Sequence, residues 1–132
     1  MERNLKGLGM VGGATVYLDP VNVVMLEPVG EDTRAVLVTG TEFVLAGDPG
    51  SVEAVLGQMR LRGVNGYRIN PDHVLALETT GRFACRLHLS ASRVIEVHGI
   101  SAADISRAIE RQDKYPWDTI RMTPSAPRTW HQ

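Results

Sequence analysis

Within the stretch "FACRLHLSASRVIEVHG", Arg86, His88 and Ser90 alternate with Leu87 and Leu89, and Arg93 follows three residues later. A period of two places the polar side chains on one face of a strand and the leucines on the other. Guanidinium and imidazole groups gathered on one sheet face can receive a phosphate or a carboxylate-bearing partner. Arg68 or His98 would join them according to strand register. Arg86, His88 and Arg93 are therefore the candidate binding residues. A solvated strand face accounts for the same pattern, and the aromatic interleaving that base stacking uses is absent.

Other constellations carry less chemistry. Glu27 and Glu78 could act as paired carboxylates in acid–base catalysis, but they stand at equivalent ends of two similar strands, which explains them structurally. Cys85 and His88, three apart in a strand, point to opposite faces and cannot form a nucleophile–base pair. "GLGMVG", Gly7 to Gly12, satisfies Gly-x-Gly-x-x-Gly. The dinucleotide fingerprint, however, needs a strand before it and a helix after it, and here "ATVYLDP" follows. Zinc spacings, phosphate loops and nucleophile elbows are also missing. No catalytic residue, metal or cofactor is assigned, and the protein is expected not to be an enzyme.

The elements that position these residues are read from an internal echo. Shifting the chain by 51 aligns residues 14–47 with 65–98 without a gap, matching Pro20 with Pro71, Val23 with Val74, Leu26 with Leu77, Glu27 with Glu78 and Gly30 with Gly81. Asp19-Pro20 and Asn70-Pro71 each separate two apolar runs and predict a tight reversal between strands. "TRAVLVTGTEFVLAGD" and "FACRLHLSASRVIEVHG" then predict hairpins. Val52, Val55, Leu56 and Met59, and later Ile105, Ala108 and Ile109, switch to helical spacing. Ser51 is expected to cap the first helix, and Ser101 the second, which should run to about Lys114.

The expected architecture is α+β, a tandem pseudo-repeat of small antiparallel units (ββββα twice) with an extended C-terminal arm. A lead-in covers residues 1–13, the units cover 14–60 and 61–114, and the arm covers 115–132. "LRGVNG" joins the units. Each unit would be marginal alone, so the two should pack on each other or on further copies. In the arm, Tyr115, Trp117 and Trp130 are interface candidates, because amphipathic aromatics are suited to docking.

Composition narrows the partners. The formal net charge is -1, without the basic excess typical of proteins that bind by neutralising phosphate. The balance is uneven: residues 1–63 hold five Lys/Arg against eight Asp/Glu, and residues 64–132 hold nine against seven. Head-to-tail contact between unlike halves would use that asymmetry. The single cysteine excludes an internal disulfide and fits a reducing, cytoplasmic setting. No signal peptide and no membrane span are read from the sequence.

Asn70, Pro71, Asp72, Val74, Leu77, Glu78 and Thr79, in "INPDHVLALETT", resemble the pattern of the FlbD/SwrD family of small flagellar-motility proteins. Asp32-Thr33 and the strand to Thr39-Gly40 are similar to further parts of it, and the resemblance covers most of residues 14–112. It implies a non-enzymatic accessory protein associated with the flagellar motor, with no catalytic residues to carry over.

The leading expectation is thus a non-enzymatic structural or adaptor protein of a larger homo- or hetero-oligomeric assembly, such as a phage virion or bacterial machine. Sheet edges would pair between copies. The alternative is an oligomeric binding module that holds a nucleotide or nucleic acid on Arg86, His88 and Arg93.

Overall fold

The computed structural model describes residues 4–111 and 119–125. Both Asx-Pro sites form a one-turn 3₁₀ helix. Asp19 Oδ1 accepts the Val21 amide at 3.2 Å ahead of Pro20–Asn22, and Asn70 Oδ1 accepts the Asp72 amide at 3.0 Å ahead of Pro71–His73. Proline opens each turn, where its fixed φ fits and its missing N–H costs nothing.

The expected reversal between paired strands does not form at either site. Strand β2 (Thr15–Leu18) pairs with β1 (Lys6–Gly9), while β3 (Val23–Val29) pairs with β4 (Asp32–Leu37). A full 3₁₀ turn carries the chain away from its starting layer instead of folding it back alongside. Strand β7 (Arg68–Ile69) accordingly reaches across to β3. The linker contributes a strand of its own, β6 (Leu61–Arg62), on the other side of β7.

The result is a five-stranded antiparallel sheet in the order β5-β4-β3-β7-β6, with β5 at Glu42–Leu45. A four-stranded antiparallel sheet, β11-β10-β9-β8, comprises β8 (Val74–Gly81), β9 (Ala84–Leu89), β10 (Arg93–His98) and β11 (Arg121–Pro124). Helices α1 (Pro49–Leu56) and α2 (Ala102–Arg111) complete an α+β fold. No helix among the described residues is long and apolar enough to cross a membrane.

Two cores lie on either side of β3. Val23 and Leu26 pack with Leu8, Leu18, Val52 and Leu56, whereas Val24 and Met25 pack with Leu87, Ile95, Val97 and Ile105. Covering both faces explains why "VVML" is apolar without alternation. A register shift between Val23 and Met25 brings the consecutive Val24 and Met25 into the same core. The second core draws on both halves of the chain.

The two turns also lock together. Buried Asn70 donates from Nδ2 to the Val23 carbonyl at 3.1 Å, and His73 Nε2 lies 2.7 Å from the Val21 carbonyl. A buried amide with its hydrogen bonds made fixes the crossing of β7 onto β3.

Two expectations are corrected in detail. Arg34 stands opposite Glu27 seven residues on, but Arg86 stands opposite Glu78 eight residues on, so the second hairpin holds one residue more than a gap-free match allows. A register shift between Thr79 and Gly81 accommodates it. Asp48, not Ser51, caps α1, accepting the Ser51 amide at 2.7 Å. Its carboxyl is held below the usual range by that bond. Ser101 does cap α2, accepting the Asp104 amide at 3.2 Å. The stretch of that helix towards Lys114 lies outside the described residues.

Candidate nucleic-acid interface

The alternation in β9 buries Cys85, Leu87 and Leu89 and turns Arg86 and His88 outwards, as the sequence predicts. Arg86 is flanked by carboxylates on both neighbouring strands. Its Nε donates to Glu96 Oε2 at 2.5 Å and its Nη1 to Glu78 Oε1 at 3.2 Å. His88 Nε2 lies 2.9 Å from the same Glu78 oxygen. Arg93, at the start of β10, pairs with Glu42 of β5, which also lies 3.5 Å from Arg34 Nε.

All three expected binding residues border one cleft of about 820 Å³, with Met25, Val94 and Ile95 as apolar lining and Glu27 and Glu78 at its wall. Arg68 does not join them. It sits on β7, its Nε donating to Glu53 at 2.8 Å. The hydrogen bond to Glu96 raises the Arg86 pKa, and in return lowers that of the Glu96 carboxyl. The hydrogen bond from His88, ahead of the Arg86 charge, holds Glu78 below the ordinary glutamate range. A carboxylate kept ionised in this way is a poor general acid.

The other sequence candidates resolve simply. Cys85 is fully buried on the face opposite His88, and burial pushes its thiol up to about 11. That leaves it a packing residue rather than a nucleophile. "GLGMVG" runs from β1 into a turn and then β2, so its amides do not open a helix. Tyr115, Trp117 and Trp130 lie outside the described residues.

The far end of the same sheet is different. Ala84, His98 and Arg121 are register partners across β9, β10 and β11. The turn Arg82-Phe83 lies directly beyond Ala84, tied down by the Gly99 amide, which donates to the Phe83 carbonyl at 2.9 Å. Arg82, His98 and Arg121 are exposed. Among the described residues, neither Arg82 nor Arg121 has a carboxylate within ion-pairing distance. The Arg82 guanidinium stands 5.7 Å from the centroid of the Phe83 ring, which is 60% exposed.

Sequence reasoning passed over Arg82 and Arg121. The available signal was negative: Arg82 sits in the turn beyond the Gly81–Ala84 pair, with no cross-strand partner, and Arg121 stands opposite His98 rather than an acidic residue. That register cannot be read locally.

These layers define an antiparallel β fold with two packed helices, found also in a DNA-binding domain. The chain is similar to the LytTr DNA-binding domain of a methyl-accepting/DNA response regulator from Bacillus cereus, with a TM-score of 0.60 and 14% identity. The match covers 83% of this chain and 99% of that one. No family model and no curated protein matches the chain.

Two expectations fall on this finding. The resemblance to the FlbD/SwrD flagellar family is corrected, since the shared fold is that of a LytTr domain. Its apparent motif consists of turn and core residues: Asn70 and Pro71 build a 3₁₀ turn, and Leu77 packs against a core. The structural or adaptor role in a virion or bacterial machine is corrected by the same likeness, since the fold is that of a domain described as DNA-binding.

Proposed function

We propose that this chain is a DNA-binding module, not an enzyme, and that it meets the phosphate backbone with the end of the four-stranded sheet where Arg82, His98 and Arg121 are exposed. The observation that carries the reading is the fold, which matches a domain described as DNA-binding over 99% of that domain's length. The electrostatics support a local site. With a formal net charge of -1 the chain as a whole offers no attraction, so unpaired cations must be concentrated where contact is made.

Arg86 and His88 continue from this end along the outward side of β9, and Arg93 lies at the sheet's opposite end, so all three take a lesser role. Any phosphate they receive must displace Glu78, Glu96 or Glu42. Arg82 and Arg121 need no such exchange.

Further parts of the reading rest on the chain's organisation. The two Asx-Pro turns, each followed by a three-stranded antiparallel run and a helix, support a tandem pseudo-repeat with units at 14–60 and 61–114. Strand β8 is a sheet edge carrying Leu75, and it offers copies of the chain a place to associate. A DNA partner and a single buried thiol both suit a cytoplasmic setting.

The test is fluorescence anisotropy with a labelled mixed-sequence duplex. Saturable binding that weakens as salt rises supports the reading. The absence of saturable binding even at low salt refutes it.

A further inference from the structure

Phe83 is a large aromatic residue that the fold does not use. It belongs to neither core, it is 60% exposed, and it occupies the two-residue connection between β8 and β9. Its backbone is nevertheless fixed, with the Gly99 amide on its carbonyl and Ala84 paired to His98 immediately after it. A rigidly held, solvent-facing ring at a hairpin tip carries a desolvation gain that is released only on contact. Its surroundings indicate the contact. Arg82 stands over the ring, and Arg121 and His98 occupy the adjoining strand ends.

We propose that Phe83 is an apolar wedge that enters between neighbouring base pairs of bound duplex DNA, with Arg82 and Arg121 on the flanking phosphates. The inference rests on the DNA-binding reading above and narrows its partner. A wedge must unstack a base step, so the preferred partner is a duplex with a pyrimidine–purine step such as TA at the contact point, where unstacking costs least. A stiff A-tract is disfavoured. Cations beside an apolar wedge suit the task, because they hold the two phosphates that the opened step spreads apart.

The experiment uses the full chain and two duplexes of equal length, one with 2-aminopurine at a central TA step and one built on an A-tract. Anisotropy reads binding, and 2-aminopurine emission reads unstacking. The wild type is expected to bind the TA duplex several-fold tighter and to raise its emission. Phe83→Ala should lose the emission change, weaken TA binding about tenfold, and keep the salt slope. Phe83→Leu should retain part of the emission change, since an aliphatic wedge still opens a step. An unchanged melting temperature for both variants assigns the loss to contact rather than folding.

Binding without an emission change, with Phe83→Ala equal to the wild type, overturns the wedge and leaves DNA binding standing. Tighter binding to single strands than to either duplex also overturns it, in favour of simple base stacking. No binding to any DNA overturns both readings.

Discussion

Arg86 on β9 and Glu96 on β10 stand directly opposite each other, with the guanidinium Nε 2.5 Å from the carboxylate, and Glu78 closes on the same arginine from β8. The most conspicuous cation of the sequence is therefore already engaged in the folded chain. Replacing Arg86 by alanine is expected to change duplex affinity by less than about twofold, where Arg82→Ala or Arg121→Ala weakens it several-fold. Anisotropy titrations of the three variants at one salt concentration decide this ordering. A larger loss at Arg86 than at Arg82 would move the contact surface to the cleft.

The same ion pairs set an acid limit on stability. Glu78 and Glu96 have folded-state pKa values below their ordinary 4.5, so the unfolded chain binds protons first as pH falls. The stabilisation is complete above about pH 4.5 and is lost as pH drops through the lowered folded values. Melting temperatures followed by circular dichroism should be level above about pH 5.5 and fall below about pH 4.5. Arg86→Met should flatten the Glu96 share of that acid limb, because Glu96 loses the guanidinium that chiefly lowers it while Glu78 keeps His88. An acid limb of unchanged steepness in Arg86→Met would show that other carboxylates control it.

Asn70 holds the crossing between the two halves with its side-chain amide, accepting from Asp72 and donating to the Val23 carbonyl. Asn70→Ala leaves a buried carbonyl without that donor and is expected to cost about 2 kcal/mol in urea unfolding. Asn70→Asp should cost at least as much, since it replaces the donor with an acceptor facing a carbonyl. A loss below about 0.5 kcal/mol in both would mean that the crossing is held by apolar packing alone.

Cys85 is buried, with its thiol raised to about 11. It should resist a disulfide reagent such as dithionitrobenzoate in the native chain at pH 8 and react at once in denaturant. Rapid native reaction would show that β9 opens locally.

The hairpins were legible from sequence because their signals are local. Alternation across "ACRLHL" gives the buried and outward faces of β9 correctly, down to the separation of Cys85 from His88. Ser101 announced the start of α2 in the same way. What escaped depends on partners distant in sequence. Whether β7 pairs with its own unit or with β3 is settled by a buried Asn70 reaching Val23, 47 residues away. Whether an arginine is free depends on strand register, and the extra residue in the second hairpin places Arg86, not Cys85, against Glu78. The apparent family motif misled for a related reason, since Asx-Pro turns and flanking apolar residues recur wherever this local geometry is needed.

The proposed DNA contact lies on the exposed cations at the end of the four-stranded sheet. Its most direct test compares the salt dependence of duplex binding for the wild type and the Arg82→Ala/Arg121→Ala double variant, from about 50 to about 300 mM salt. Each phosphate contact contributes about -0.9 to the slope of log affinity against log salt. The double variant is expected to show a slope shallower by about two, with the melting temperature unchanged. An identical slope in wild type and variant would contradict it, because the phosphates would then be met by another surface.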